Sequence, residues 1–286
     1  MGKLLSGSQV ERYRREGFLT PLRAFDAARA AHYFAALERN ESAHGLYNRH
    51  YLASKAHLVF PWAAELVRNA VVLDAVEDLI GPDILLFNLT IWSKRGHDET
   101  YVNWHQDGAY FGLDPCEQIT AWIALTPSTP EAGCVEVLPG SHLRGSLRHA
   151  ERPDEKSLLS RGQYVSDHFD AASTVAMPLA PGEYSLHDVN LLHRSGPNRA
   201  DHRRVGFGIS YVPAHVRCTA PVRLTASLVR GADRYGHFDP EPVPPVDYHP
   251  DAVEFHKATL ARYVAARNAM AAQHGAAASS ARAGGA

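Results

Sequence analysis

Gln118-Ile119-Thr120-Ala121-Trp122-Ile123-Ala124-Leu125-Thr126 sets Ile119, Ala121, Ile123 and Leu125 against Thr120, Trp122, Ala124 and Thr126. Successive side chains on a strand point to opposite faces, so this alternation reads as a β-strand. Working outward, Ile84–Trp92 is rich in β-branched and aromatic residues, as strands are. Short strands are expected at Cys134–Leu138, Thr174–Leu179, Tyr184–His187 and Arg204–Val212. Pro139-Gly140, Pro181-Gly182 and Gly196-Pro197 punctuate them. Many short strands with turn signals imply an antiparallel sandwich or barrel, and the jelly roll is the variety that holds metals in its mouth.

Upstream of Ile84 the period is helical. Ser8-Gln9-Val10-Glu11 reads as a capping box opening a helix that Gly17 stops. Further helices are expected over Asp26–Arg39, with Ala30, Phe34 and Leu37 on one face, near Pro61–Asn69, and over Val71–Ile80, ending at Gly81-Pro82. They read as helices packed on the sheet. The expected organisation is one domain over residues 1–270, with a helical front (8–80), a jelly-roll core (84–212) and a C-terminal extension (213–270). Ala, Ser and Gly dominate residues 271–286 and suggest a disordered tail.

Composition excludes several classes. The 286 residues are 45% hydrophobic and 21% charged, as in soluble globular proteins. A net charge of −2 offers no basic field for nucleic acid. No apolar run approaches the ~20 residues that cross a bilayer, and the stretch from Met1 to Ser6 lacks the pattern of a secretory signal. Cys116, Cys134 and Cys218 are too few and scattered for a disulfide framework or a thiolate zinc site, which points to a reducing, cytoplasmic setting.

The chemistry is read from Trp104-His105-Gln106-Asp107. On a strand, His105 and Asp107 point the same way with their bases roughly 6–7 Å apart. A second histidine from elsewhere would complete the two-histidine, one-carboxylate facial triad of non-haem Fe(II) oxygenases, which leaves positions open for chemistry. A lone His-x-Asp is also compatible with a surface pair. The candidate partner is His193, at an apolar strand end running into Ser195-Gly196-Pro197-Asn198. In the strand that follows, Val205, Phe207, Ile209 and Tyr211 share one face, and Arg204, Gly206, Gly208 and Ser210 share the other. Two glycines beside an arginine are expected to leave a cavity. A guanidinium opening onto it needs an anion, either a small-molecule carboxylate gripped bidentately or a carboxylate of the protein itself.

Trp104–Gly108, Thr120–Leu125, Gly133–His142 and His193–Asn198, followed by Arg203-Arg204, occur in the order and at the spacings of the phytanoyl-CoA dioxygenase family, which the chain resembles from about Gln9 to Val212. The resemblance implies a mainly β double-stranded β-helix (jelly roll, cupin-like) with flanking α-helices, and a dioxygenase using Fe(II), 2-oxoglutarate and O2. Carried over by residue, it implies His105, Asp107 and His193 as iron ligands and Arg204 as partner of the distal carboxylate of 2-oxoglutarate. It also implies Ser195 as a hydroxyl reaching that carboxylate, and Trp122 as a core-lining residue near the cofactor. Relatives that halogenate have a small residue in place of the metal carboxylate, so Asp107 implies hydroxylation or a related oxidation. His187 reads as a supporting or packing residue, and His142 as a structural residue of its turn. His149, His168, His202, His215 and His237 read as near-surface.

The implied substrate is a small molecule. Lys94–Asn103 and Leu143–Asp167 read as loops around the mouth. Arg144, Arg148, Arg152, Lys156 and Arg161 in the second suggest either an anionic substrate or an ordinary solvated lid. Tyr110 and Phe111 read as an aromatic wall over the iron or as core. Two other readings stand beside the oxygenase: a cupin-type metal enzyme without 2-oxoglutarate, and a non-catalytic binding protein on the same fold. The arginine on a glycine-lined face speaks against the first, and the intact triad against the second.

Overall fold

The computed structural model describes residues 2–44 and 53–283. Among these, a seven-stranded sheet runs in the order Phe18–Arg23, Glu183–Asp188, Ile119–Ala124, Arg204–Pro213, Ile84–Lys94, Thr225–Arg230, Asp239–Pro240. A four-stranded sheet runs Val102–His105, His193–Ser195, Val135–Val137, Val175–Met177. Neighbours are antiparallel except the last pair of the larger sheet. This is the expected jelly roll with flanking helices.

Alternation sorts the larger sheet into two faces. Ile119, Ala121, Ile123, Val205, Phe207, Ile209 and Tyr211 look outward. They form one core with Tyr33 and Leu37 of helix Ala27–His44, Trp62 and Leu66 of Pro61–Leu66, and Val72 and Val76 of Ala70–Ile80. Burying each such side chain stabilises by roughly 1.5–3 kcal/mol, which holds the helical layer on the sheet. The inner face is different. Trp122 and Ala124 pack against Val135, Val137 and Met177 of the smaller sheet, while polar residues occupy the rest. The functional residues lie in that inter-sheet space.

Helix boundaries differ from the sequence reading at identifiable points. The first helix is Gly7–Glu16, capped by Ser6 rather than Ser8. Ser6 Oγ accepts from Gln9 N at 3.3 Å and Gln9 Oε1 accepts from Ser6 N at 2.9 Å, which makes the box Ser6–Gln9. Leu5 and Val10, on either side of the cap, both join the core and fix this start. The third helix is shorter than expected, Pro61–Leu66, and the second longer.

The C-terminal extension is part of the core. Phe238, Tyr263 and Ala266 bury against Leu85 and Phe87. The last helix runs Pro250–Ala283, so the backbone is helical in much of the stretch whose composition suggested disorder. Alanine has the highest helix propensity, so a segment unable to build a core can still be a good helix. Among the described residues no helix is long and apolar enough to cross a membrane.

Candidate metal centre and cavity

His105 ends strand Val102–His105 and pairs in register with His193 on the neighbouring strand, so the two imidazoles stand side by side with ring centroids 4.1 Å apart. The strand ends there, and Asp107 follows at the start of a short helical turn, Gly108–Phe111. One ligand atom from each of His105, Asp107 and His193 lies within 4.8 Å of the others.

The backbone fixes which ring atoms face inward. His105 Nδ1 lies 2.9 Å from Asn103 O and 3.1 Å from His193 O, and His193 Nδ1 lies 2.9 Å from Leu191 O. Both Nδ1–H groups therefore donate to carbonyls, which leaves Nε2 of each ring as the electron-pair donor. Thr120 Oγ1 donates to Asp107 Oδ2 at 3.1 Å and orients the carboxylate, whose Oδ1 lies 3.5 Å from His105 Nε2. Burial alone would raise the Asp107 carboxyl, but the close approach of His105 and His193 holds it well below the usual carboxylate range. Burial, reinforced by His105, keeps His193 neutral. A carboxylate and two imidazoles whose Nε2 atoms face one another form a donor set suited to a divalent first-row metal.

His187 sits beside this centre, its ring centroid 4.7 Å from that of His193. Burial pushes it down to about 4, and both ring nitrogens are buried without a hydrogen-bond partner. It touches the centre, as the supporting role implied, but it is not packed away among hydrogen-bond partners.

At the other end of the inner face, Arg204 is 1% exposed and its guanidinium carbon lies 4.5 Å from the Trp122 ring centroid. Its hydrogen bond is to a neutral group, Ser128 Oγ, at 3.5 Å, and no carboxylate of the described residues lies within ion-pair distance. Among the described residues the protein therefore supplies no anion to this guanidinium. Arg203 points to the opposite face and grips Glu41 through two bonds of 2.7 and 2.8 Å. Ser195 is buried and accepts from Lys94 Nζ. An arginine buried without an anion, beside an aromatic ring, fits a dicarboxylate cosubstrate.

The glycines do not leave the open space the sequence suggested. A Cβ on Gly206 would lie 2.2 Å from the Trp122 ring, and one on Gly208 would lie 2.9 Å from Trp92 Nε1. They make room for two indoles from neighbouring strands. Gly208 nevertheless reaches the wall of a cavity of about 920 Å³ into which His105 and Asp107 open. Tyr110 and Phe111 line that cavity, and Phe111 also packs edge-on against Phe87, so the second is wall and core at once.

Three contributors to the site were missed. Gln106, between His105 and Asp107, points away from them. Its Nε2 donates to Gly145 O and Asn190 O, and its Oε1 accepts from Leu147 N, so it ties the mouth loop to the metal strand. His149, expected near the surface, accepts from Gln106 N at 3.0 Å. Leu260, Tyr263, Val264, Arg267 and Asn268 of the last helix wall the cavity, and their 3–4 residue spacing was the available signal. The mouth loop carries a hairpin, His149–Glu151 with Gln163–Val165. Its positive charge is largely answered, with Arg148–Asp167 at 2.6 Å, Lys156–Glu99 at 2.6 Å and Arg161–Glu151 at 3.5 Å. Arg144 and Arg152 are the cations of this loop outside those pairs.

A family model described as Phytanoyl-CoA dioxygenase matches residues 2–206. Among curated proteins, the chain is 30% identical over 161 residues to a probable alpha-ketoglutarate-dependent hypophosphite dioxygenase of Stutzerimonas stutzeri, covering 55% of each chain. The aligned part spans about half the length of the first curated relatives it matches. Among solved structures, it is 32% identical to a non-heme monooxygenase, ThoJ, in its apo form, with a TM-score of 0.83 over 92% of this chain and 99% of that one. A nickel complex of ThoJ aligns with a TM-score of 0.78 at 31% identity, over 91% and 99%.

Proposed function

The chain belongs to the phytanoyl-CoA dioxygenase family, and from that membership we propose an Fe(II)- and 2-oxoglutarate-dependent oxygenase. It hydroxylates, or otherwise oxidises, an unactivated C–H bond of a small-molecule metabolite. The observation that carries the proposal is the convergence of His105, Asp107 and His193 within 4.8 Å, with both Nδ1 atoms committed to carbonyls. The names of the hypophosphite dioxygenase and the non-heme monooxygenase support the same class.

The chemistry that Fe(II) and 2-oxoglutarate supply when bound is oxidative decarboxylation of the keto acid to succinate and CO2, coupled to oxygen transfer from O2. His105, Asp107 and His193 would hold the iron. Arg204, stiffened by Trp122, would grip the distal carboxylate, with Ser195 beside it. Thr120 keeps the Asp107 carboxylate turned toward the two rings. Tyr110, Phe111 and the last helix enclose the reacting face and limit water. Arg204 separates this reading from a cupin without 2-oxoglutarate, since a buried cation lacking a protein anion serves no purpose there.

The test is anaerobic titration with Fe(II) and then 2-oxoglutarate, following the weak visible charge-transfer band of the chelate. A band that saturates at one equivalent of each supports the proposal; its absence with iron bound removes 2-oxoglutarate from it. Amino acids, phosphonates and acyl-CoA thioesters can then be screened for stimulated succinate release.

A further inference from the structure

The cavity onto which His105 and Asp107 open holds about 920 Å³, and sites that bury a drug-sized molecule span roughly 300–1,000 Å³. Arg204, Ser195 and Trp122 do not line it, so this space lies apart from the cosubstrate residues. Leu37, Phe60, Trp92, Phe111, Leu158 and Leu260 on its wall suit a molecule with an apolar body. A free amino acid would fill only a fraction of it.

The arginines on that wall are not equivalent. Arg203 is held by Glu41 at 2.7 Å and Arg161 faces Glu151 at 3.5 Å, while Arg95 is exposed. Arg267, partly buried on helix Pro250–Ala283, donates to a neutral group, Ser160 Oγ, at 3.0 Å. Among the described residues no carboxylate lies within ion-pair distance of it. Arg262, earlier on the same helix, shows the ordinary alternative: it pairs with Asp239 at 2.8 Å and does not line the cavity.

Beside Arg267 stands a donor with the same lack. The Tyr110 hydroxyl is buried without a hydrogen-bond partner, and Arg267 and Arg161 are both within electrostatic reach of it. Burial raises that hydroxyl, which keeps it protonated and a donor. Tyr263 connects this corner to the metal centre. The Arg267 guanidinium carbon lies 5.9 Å from its ring centroid, and Asp107 is within electrostatic reach of its hydroxyl. One uncompensated guanidinium matches one negative charge. A carboxylate carries one, whereas a phosphate monoester carries about 1.5–2 at neutral pH and a coenzyme A thioester several.

We propose that Arg267, with the Tyr110 hydroxyl, binds a single carboxylate of the primary substrate, an apolar-bodied monocarboxylate larger than a free amino acid. The inference rests on the oxygenase reading for calling that ligand a substrate; the site itself is tested without turnover.

The probes are three ligands on one apolar body: pyrenebutanoate, its neutral primary amide, and pyrenebutylphosphonate. Dissociation constants come from pyrene emission and anisotropy on the full-length protein, anaerobically, with Fe(II) and saturating 2-oxoglutarate so that Arg204 is already engaged. The wild-type protein should bind the carboxylate about five- to twentyfold more tightly than the amide, the worth of a charge-assisted bond partly screened by solvent. It should bind the phosphonate no more tightly than the carboxylate. Arg267→Met should erase the preference by weakening the carboxylate alone, with the amide changed by less than about twofold. Arg267→Lys should restore part of the preference, and raised salt should shrink it. Arg262→Met is the control and should leave both constants unchanged. Equal weakening of carboxylate and amide would reduce Arg267 to a packing residue of its helix and overturn the inference. So would a wild-type protein that does not bind pyrenebutanoate, does not prefer it to the amide, or binds the phosphonate more than about tenfold more tightly. A coenzyme A thioester that stimulates succinate release with a Michaelis constant indifferent to Arg267→Met would overturn it as well. An Arg267-dependent preference in a protein that gives no chelate band with 2-oxoglutarate would support the carboxylate site and remove the oxygenase reading. The band without the preference would do the reverse.

Discussion

Replacing Glu241 by alanine should destabilise the protein by about 3–5 kcal/mol, although Glu241 lies far beyond residues 2–206 that carry the family match. Its carboxylate is 0% exposed and takes four donors. Oε1 accepts from Lys55 Nζ at 2.5 Å and Thr225 Oγ1 at 2.6 Å; Oε2 accepts from Ser227 Oγ at 2.7 Å and faces His57 Nε2 at 2.9 Å. Burial would raise this carboxyl, but Lys55 and His57 hold it well below the usual range. Truncation leaves Lys55 charged in the interior with two carbonyls, Phe87 O and Thr225 O, for company. It also strips His57 of its bond, and His57 Nδ1 has no partner already. A buried charge left alone costs about 3–5 kcal/mol, and an orphaned imidazole about 1–3 kcal/mol. Lys55's remaining carbonyls keep the sum near the lower end. Urea denaturation gives the loss directly, and the melting temperature should drop by about 2–4 °C per kcal/mol. Glu254→Gln is the control, because its pair with Lys257 is exposed and removing it should cost under about 0.5 kcal/mol. If Glu241→Ala cost no more than that control, the claim that the C-terminal extension is locked into the domain through this carboxylate would be wrong.

Asp107→Ala should abolish succinate-coupled oxidation and lower iron affinity by more than the ~10–100-fold typical of residues behind a ligand; wild-type turnover at full iron occupancy would disprove its role. Gly206→Ala places a Cβ 2.2 Å from the Trp122 ring, so a cost of about 1–3 kcal/mol and an altered tryptophan emission are expected, and an unchanged spectrum with unchanged stability would contradict the packing. Burial lowers His256 from 6.5 to about 4 and lowers His57 as well. Groups whose folded value is depressed take up protons on unfolding, so stability is full above pH 6.5 and is lost as pH falls toward 4, by about 2–3 kcal/mol for His256. Urea midpoints equal at pH 7.5 and 4.5 would refute this.

The strands were legible where one face is apolar throughout. Val205, Phe207, Ile209 and Tyr211 had to bury against something, and the helices supplied it. The convergence of His105, Asp107 and His193 was legible for a related reason, since the His-x-Asp spacing carries its own geometry and His193 begins a strand that must pair somewhere. Helix ends were less so: Ser6 and Ser8 are both competent caps, and only the burial of Leu5 and Val10 chooses between them. The stripe on Pro250–Ala283 was visible as spacing, but which wall it covers depends on tertiary packing.

What the sequence withheld was register. From their own strand Gly206 and Gly208 read as leaving space, because nothing local states that they face Trp92 and Ala124, or Thr90 and Trp122, across the sheet. A glycine in a strand reports only that something comes close; a ligand and an indole look alike from one strand. The same holds for Lys94. Its segment, Trp92-Ser93-Lys94-Arg95, reads as a strand running out into a polar loop, where a lysine is ordinarily solvated. Only the antiparallel pairing with a strand 110 positions later sets Lys94 against Arg204 and turns an exposed-looking cation into a buried one. The charges between two sheets are therefore read from pairs of strands, and a residue that looks solvated in its own segment acquires its surroundings from the strand beside it.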